Sequence, residues 1–368
     1  MASDRLRIGI IGCGDVAHRH YLPGIVTRSD SVVLAAAADP RPGAAEALTR
    51  VVDAWSPGAR PYLDAGEMLR QESLDGVIDL APAPFHGDVN RAILEAGVAC
   101  FSEKPLAATV GDADALIELA ARQDALFLVA PGSAVTDRFR WLKGVAESGQ
   151  FGKPTLAVAH HADPGPAAWR EYTGDPTPFY RQGVGPVFDH GVYRLHEMTA
   201  ILGPVRRVQA MGSIALPARR VRGGPLTGQT IEVTTPDNVL IHLEFASGVL
   251  GQLLASFATP DTLAPWLELH LERGTVSLGG KSWELDYPIS IYTDDDSDAA
   301  REAWDMDVEV PPDRYGVVEN GVRHFIACLL GEETPVLTAE HGRHVLEIIL
   351  KAYASIEEGR TQDLETTF

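Results

Sequence analysis

The chain has 368 residues, of which 45% are hydrophobic and 22% charged, so it is long enough for two globular domains and is unlike fibrous or disordered proteins. Its 31 basic and 51 acidic residues give a formal net charge of −20, which disfavours nucleic acid and anionic membranes as partners. Three widely spaced cysteines, without a long apolar span or a signal-peptide pattern, favour a cytoplasmic protein.

The first third of the chain alternates short apolar segments with amphipathic ones. Strands of a parallel sheet are apolar on both sides, because helices cover both faces of the sheet. The pattern therefore predicts an α/β fold that starts with a doubly wound Rossmann domain over residues 1–130. The predicted strands are 7–11, 32–36, 76–80, 98–101 and 125–129, and the predicted helices are 44–52, 87–96 and 110–122.

Residues 131–368 follow a different pattern, in which apolar and polar side chains alternate along several segments. Such period-two runs, joined by short turns, are typical of an antiparallel sheet with one buried face and one available face. We interpret the acidic segment 294–298 as a solvated turn. The predicted strands are 239–245, 248–257, 266–272 and 275–278, and helices are predicted at 317–330 and 339–357.

A glycine-rich segment directly follows the first predicted strand and opens a helix, with the spacing G-x-G-x-x-A. Gly12 permits a tight turn, Gly14 lets the backbone approach a diphosphate, and Ala17 allows close packing of helix and strand. Backbone N–H groups at the helix start, including those of Asp15 and Val16, would hold the diphosphate. The segment predicts a dinucleotide site, and it supplies a local grip that a surface of charge −20 cannot.

Asp39 ends the second predicted strand, 25 residues after Gly14. A carboxylate at this place can accept hydrogen bonds from the adenosine ribose and would repel a 2′-phosphate, which favours NAD over NADP. The alternative is an ordinary turn formed by Asp39 and Pro40. Arg41 leaves the choice between NAD and NADP open, because its guanidinium could stack on adenine or hold a 2′-phosphate.

Two further motifs complete the pattern. The sequence Glu103-Lys104-Pro105 runs off the fourth predicted strand, and the sequence D-x-G-x-Y from Asp189 to Tyr193 opens a helix. Together with the glycine segment and residues 82–86, these motifs resemble the glucose–fructose oxidoreductase and inositol dehydrogenase family over nearly the whole chain. The resemblance implies an NAD(P)-binding domain and a C-terminal α/β domain whose large, mostly antiparallel open sheet forms subunit contacts. It further implies a carbohydrate or polyol substrate and a homodimer or homotetramer.

The resemblance also assigns roles to three side chains. It implies that Lys104 binds the reacting hydroxyl or carbonyl, and Tyr193 stands where many members of the family carry the catalytic histidine. We predict that Tyr193 transfers the proton, that Lys104 stabilises its phenolate form and that Asp189 orients Lys104 or a substrate hydroxyl. The alternatives are that Lys104 alone is the acid–base group, that it is a surface lysine paired with Glu103, or that Tyr193 only packs.

Two sets of candidate binding residues follow from the motifs and the resemblance. Ala83 departs from the family, which often has asparagine there, and His196 replaces a frequent aspartate. The candidate cofactor-binding residues are Gly12, Gly14, Asp15, Val16, Asp39, Arg41, Ala81, Pro82, His86, Glu103 and Lys104. The candidate substrate-binding residues are Lys104, Trp169, Tyr180, Asp189, His190, Tyr193 and His196.

No metal is predicted, because neither the pair His160 and His161 nor the pair His190 and His196 has a recognisable spacing to a carboxylate or cysteine. The leading hypothesis is an NAD-dependent oxidoreductase that acts on a CH–OH group of a sugar, sugar derivative or polyol. The alternatives are a non-catalytic NAD-sensing regulator of the same fold and an NAD-dependent glycosidase. The sequence does not name the substrate.

Overall fold

The computed structural model describes residues 5–280, 284–293, 303–305 and 308–368. The chain forms two compact units, Met1–Thr136 with Tyr315–Leu346, and Asp137–Arg314 with Glu347–Phe368. The sequence-based boundary after residue 130 lies close to the first of these breaks, but it places 315–346 in the second domain. The segment 294–298, which we interpreted as a solvated turn, lies outside the described residues.

The described strands and helices alternate in the first part of the chain, and strands dominate the second part. No described helix is both long enough and apolar enough to cross a membrane. The strands are β1 (Leu6–Ile11), β2 (Val32–Ala38), β3 (Arg60–Tyr62), β4 (Gly76–Asp79), β5 (Ala99–Ser102), β6 (Phe127–Val129), β7 (Pro154–Ala162), β8 (Val205–Ser213), β9 (Ala218–Arg220), β10 (Thr230–Glu232), β11 (Asn238–Phe245), β12 (Leu250–Ser256), β13 (Leu267–Leu271), β14 (Gly274–Leu278), β15 (Ile289–Thr293), β16 (Ala303–Asp305) and β17 (Gln362–Asp363). The helices are α1 (Leu22–Val26), α2 (Ala44–Val52), α3 (Ala65–Gln71), α4 (His86–Glu95), α5 (Val110–Gln123), α6 (Asp137–Glu147), α7 (Val192–Leu202), α8 (Val317–Leu329) and α9 (Ala339–Glu358).

The first unit contains a six-stranded parallel sheet in the order β3-β2-β1-β4-β5-β6. Ile8, Ile10, Leu34 and Val77 are fully buried in it, as the continuous apolar runs predict. The order reverses between β1 and β4, and ligands of open α/β sheets bind at the carboxyl ends of the strands beside such a reversal. The predicted doubly wound fold is confirmed.

Helix α8 belongs to the first unit because its apolar face packs on the parallel sheet. The ring of Phe325 stacks on the ring of Phe101 with centroids 5.6 Å apart. Gly132 allows a close approach, since a Cβ at that residue would lie 2.2 Å from the carbonyl oxygen of Val317. These contacts join segments that are far apart in the sequence, and a periodicity analysis does not detect them.

The second unit contains a nine-stranded sheet in the order β16-β15-β14-β13-β7-β12-β11-β8-β17. Strands β7 and β12 pair in parallel, and the other neighbouring pairs are antiparallel. Along β11, Val239, Ile241 and Leu243 are buried, whereas Leu240 and His242 between them are exposed. The prediction of a large, mostly antiparallel sheet with one covered and one open face is confirmed.

Candidate functional site

The glycine loop follows β1 at the carboxyl edge of the parallel sheet. Gly12 has φ +93°, and a Cβ there would lie 2.4 Å from the carbonyl oxygen of Leu80, so only glycine allows this turn. At Gly14, a Cβ would meet only the guanidinium of Arg41, at 3.8 Å, so the space beside this backbone is open. The loop fits the diphosphate of a dinucleotide, which needs close access to backbone N–H groups.

The segment after the glycine loop begins as a π-helical turn, Ala17–Tyr21, and continues as α1. Asp15 and Val16 are exposed immediately before this turn, and the Asp15 carboxylate forms an ion pair with Arg19 one turn later. The predicted role of these two residues depends on their backbone N–H groups rather than on their side chains. That role stays a prediction.

Asp39 is buried and ties the glycine loop to the end of β2. Its Oδ2 accepts hydrogen bonds from the Cys13 N–H at 2.8 Å and from Nη2 of Arg41 at 2.7 Å, and its Oδ1 accepts from the Arg41 backbone N–H at 2.9 Å. Burial raises the pKa of Asp39 and the bonds from Arg41 and Cys13 lower it, with a net downward shift. The residue after β2 is therefore a fixed carboxylate to which the guanidinium of Arg41 is bound, and its contact with the ribose stays a prediction.

His86 connects the loops that follow β4 and β5. Its Nδ1 lies 2.6 Å from the carbonyl oxygen of Pro105, and its Nε2 lies 2.7 Å from the carbonyl oxygen of Ala81. Carbonyl oxygens only accept, so a neutral imidazole donates to one of the two at a time. The buried ring positions Ala81 and the exposed Pro82, both of which are candidates for cofactor contact.

Lys104 lies just beyond β5, at the same carboxyl edge as the glycine loop, and is half-buried. The neighbouring Glu103 is engaged on both carboxylate oxygens. Its Oε1 accepts a hydrogen bond from the Tyr21 hydroxyl at 2.6 Å, and its Oε2 accepts from the Lys104 backbone N–H at 2.9 Å. Glu103 thus fixes the backbone from which the Lys104 side chain extends.

In the second unit, Asp189 and Tyr193 lie where a π-helical turn, Val187–Gly191, passes into α7. A Cβ on Gly191 would lie 3.4 Å from the Ala255 side chain of β12, so the small residue lets this turn pack closely on the sheet. We predicted a helix here but not its widened first turn. Single π-turns are frequent at functional sites because they redirect side chains.

His190 occupies the centre of a polar and aromatic cluster. Its Nδ1 lies 3.3 Å from Oδ2 of Asp163, and its Nε2 lies 3.3 Å from Oδ2 of Asp189. The His161 ring stacks on one side with centroids 4.1 Å apart, and the ring of Trp169 stacks at 5.4 Å. We call His161, Asp163 and His190 the His–Asp cluster.

The His–Asp cluster is partly a correction to the sequence analysis, which paired His161 with its neighbour His160. Successive residues of a strand point to opposite faces, so the buried His161 shares a face with Asp163, two residues on. His160 lies on the other face, with its Nδ1 2.9 Å from the Pro265 carbonyl oxygen. The spacing H-x-D at the end of a strand was the signal that could have identified Asp163.

Two other candidate substrate-binding residues are buried. Tyr180 is fully buried, its hydroxyl oxygen accepts a hydrogen bond from the Ala167 N–H at 3.0 Å, and burial raises its pKa to about 12. We had expected Tyr180 to bind the substrate. Its ring instead packs against Phe257, so Tyr180 supports the loop and does not present a face to a sugar ring. His196 is buried on α7, and its substrate contact stays a prediction.

Comparison with known proteins identifies the family. A family model described as an oxidoreductase family with an NAD-binding Rossmann fold matches residues 6–130, and a GFO/IDH/MocA C-terminal domain matches residues 139–277. The chain belongs to the GFO/IDH/MocA oxidoreductase family. The family resemblance that we saw in the sequence motifs is thus confirmed. The prediction of NAD as the cofactor is confirmed as well. This GFO/IDH/MocA member is an NAD-dependent oxidoreductase.

Named relatives span almost the whole of this GFO/IDH/MocA protein. Myo-inositol 2-dehydrogenase from Thermotoga maritima is 24% identical, over 98% of this chain and 99% of its own. D-apiose dehydrogenase from Paraburkholderia graminis is 26% identical, over 98% of this chain and 90% of its own. The crystal structure of an NAD-binding oxidoreductase from Klebsiella pneumoniae is 21% identical and has a TM-score of 0.80, with coverage of 98% of this chain and 100% of that one.

Proposed function

We propose that this oxidoreductase interconverts a secondary alcohol and a ketone on a sugar, sugar derivative or polyol. The names of the relatives support this substrate class, since they act on an inositol and on apiose. The observation that carries the proposal is the arrangement around His190, which lies between the carboxylates of Asp163 and Asp189 and under the ring of Trp169. Imidazoles and carboxylates bind hydroxyl groups, and an aromatic face packs on the C–H face of a sugar ring.

NAD, when bound, accepts or supplies the hydride, so the protein must orient the carbinol and move one proton. We assign that proton to the hydroxyl of Tyr193, whose ring centroid lies 6.5 Å from that of His161. Asp189, whose Oδ2 lies 3.3 Å from Nε2 of His190, orients that imidazole, and the action of Lys104 on the phenolate form stays a prediction.

The experiment is a panel of cyclic polyols, aldoses and glycosides assayed with NAD for NADH formation. We expect NADH from at least one cyclic polyol or sugar, with little activity on simple secondary alcohols. NAD binding without any oxidation across the panel would indicate the non-catalytic regulator. Release of free sugar from aryl glycosides without net NADH would indicate the glycosidase.

We further propose that two or four copies associate through the open face of the nine-stranded sheet. Met211, Leu240 and Leu250 are exposed there by 75%, 41% and 55%. Leu240 pairs with Met211. On the same face, Leu250 pairs with Leu156, four residues along β12 from the partner of Leu240. Several exposed apolar side chains on one face of a sheet indicate an association surface. We expect light scattering to give a multiple of the monomer mass and the Leu240→Asp variant to give the monomer mass; a monomeric wild type would refute the proposal.

The cellular setting and partners follow from charge and cysteine chemistry. We propose a cytoplasmic location, which the free state of Cys13, Cys100 and Cys328 supports. A net charge of −20 supports the absence of nucleic acid and anionic membranes among the partners.

A further inference from the structure

We propose that the His–Asp cluster binds a divalent transition-metal ion of the Zn²⁺ type. Each of its residues offers one ligand atom: a ring nitrogen of His161, a carboxylate oxygen of Asp163 and Nδ1 of His190. No two of these atoms are more than 4.8 Å apart. Two imidazoles and a carboxylate form a common donor set for zinc and related ions. The inference does not rest on the proposed substrate class.

The distances suit such an ion. Bonds of about 2.0–2.2 Å in a tetrahedral arrangement place neighbouring ligand atoms roughly 3.4 Å apart. The separation between Nδ1 of His190 and Oδ2 of Asp163 is 3.3 Å, which matches this spacing without movement. The ligand atom of His161 lies within 4.8 Å of the other two, and its ring would have to leave the 4.1 Å stack on His190 to reach the same ion.

The contacts behind the ligands also fit a metal centre. Asp189 lies 3.3 Å from Nε2 of His190, so it can accept a hydrogen bond from that nitrogen and orient the ring with Nδ1 toward Asp163. The Gly165 N–H donates to Oδ1 of Asp163 at 2.6 Å, which leaves Oδ2 on the His190 side. Carboxylates and backbone groups that orient the ligands in this way are a regular feature of metal sites.

Burial and charge favour a cation at this place. His161 and His190 are only 7% and 3% exposed, and two carboxylates flank His190. A bound divalent ion offsets the repulsion between these carboxylates. Three protein ligands leave one position open, as in catalytic zinc sites, and a hydroxyl or carbonyl oxygen of the substrate can occupy it.

The sequence analysis predicted no metal because it considered only ligands that are close in sequence. The structure combines His161 of β7 and Asp163, one residue beyond the end of that strand, with a third ligand from the π-helical turn before α7. Without an ion, the same three side chains bind substrate hydroxyls directly, as the proposed function has it. Metal content and metal spectroscopy separate the two, and neither measurement requires turnover.

The test uses the full-length protein after removal of metal with a chelator. Zn²⁺ is added in equilibrium dialysis and counted by elemental analysis, and Co²⁺ is added as a spectroscopic probe whose visible bands report nitrogen and oxygen ligands. We expect one ion per chain. The Asp163→Asn variant, which keeps the volume and the acceptor for Gly165, should lose at least about 10-fold in affinity, and Asp189→Asn about 10- to 100-fold.

His161→Ala should also lose the Co²⁺ bands, whereas the matched control His160→Ala, on the opposite face of the same strand, should keep them. Circular dichroism and the thermal unfolding transition of each variant show that it is folded; if His161→Ala does not fold, Asp163→Asn decides. The proposal is overturned if the wild type does not saturate at one ion per chain. It is equally overturned if Asp163→Asn binds as tightly as the wild type. Either result would leave the proposed oxidoreductase function standing.

Discussion

The glycine loop of the first unit and the His–Asp cluster of the second are built in different ways. The loop is one contiguous segment that acts through backbone N–H groups, and a single distant carboxylate, Asp39, secures it through the Cys13 N–H at 2.8 Å. The cluster brings together side chains from the end of β7, from the residue that follows it and from the π-helical turn before α7. The comparison teaches that the glycine loop is local and generic, whereas the His–Asp cluster is assembled from separate segments.

This comparison predicts that variants separate cofactor affinity from the chemical step. The largest expected effect is that of Lys104→Met. Lys104 lies in the unit that holds NAD, yet its proposed role is in the chemistry, so we expect kcat to fall by about 10²-fold or more with little change in the Kd of NAD. Steady-state kinetics and NADH fluorescence titration measure the two quantities.

Lys143→Met is the matched control, since Lys143 pairs with Glu147 on an exposed face of α6. It should leave both quantities unchanged. If Lys104→Met instead weakens NAD binding by the same factor as it lowers kcat, Lys104 belongs to the cofactor site and the comparison fails.

Asp39→Ala should give the opposite pattern. The change removes the hydrogen bond to the Cys13 N–H and releases Arg41, so we expect NAD affinity to fall by about 10-fold and the preference over NADP to narrow. At saturating NAD, kcat should change little. The control is Asp53→Ala, at an exposed residue, which should leave the affinity for NAD unchanged. A wild type that clearly prefers NADP would show that Arg41 holds the phosphate.

The smallest expected effect is on the pH dependence of folding stability, at Asp79, which ends β4 and is fully buried. Burial raises the pKa of Asp79 from 3.8 to about 6, so its ionisation destabilises the fold as the pH rises through about 6. Between about pH 5 and about pH 8 the wild type should lose about 1.4 kcal/mol of stability that Asp79→Asn keeps. Denaturant unfolding of both proteins at the two pH values measures this difference. A difference that is independent of pH would contradict the assigned pKa.

Much of the fold could be predicted because its elements are periodic in the sequence. The apolar runs of β1, β2 and β4 and the alternation of β11 each indicate their own sheet type. The return of α8 to the first unit could not be predicted in this way. It depends on the contact of Phe325 with Phe101, which are far apart in sequence.

The glycine loop and the His–Asp cluster also differ in how far the sequence predicts them. Gly12 was predictable because its turn, with φ +93°, is one that glycine alone allows, and Gly14 because a dinucleotide loop needs open space beside the backbone. Asp163 was missed, although it follows His161 on one strand face, and Tyr180 was expected at the substrate although the fold buries it. Which face of a loop aromatic is covered depends on packing from distant segments, and no local pattern records it.

The most direct test of the central claim is the turnover of the Tyr193→Phe variant on the true substrate, with NAD affinity measured on the same sample. The claim is that the second unit moves the proton while the first holds the cofactor. The account predicts a fall in kcat of about 10²-fold or more with the Kd of NAD nearly unchanged. Turnover close to that of the wild type would contradict it, reduce Tyr193 to a packing residue and leave Lys104 as the sole acid–base group.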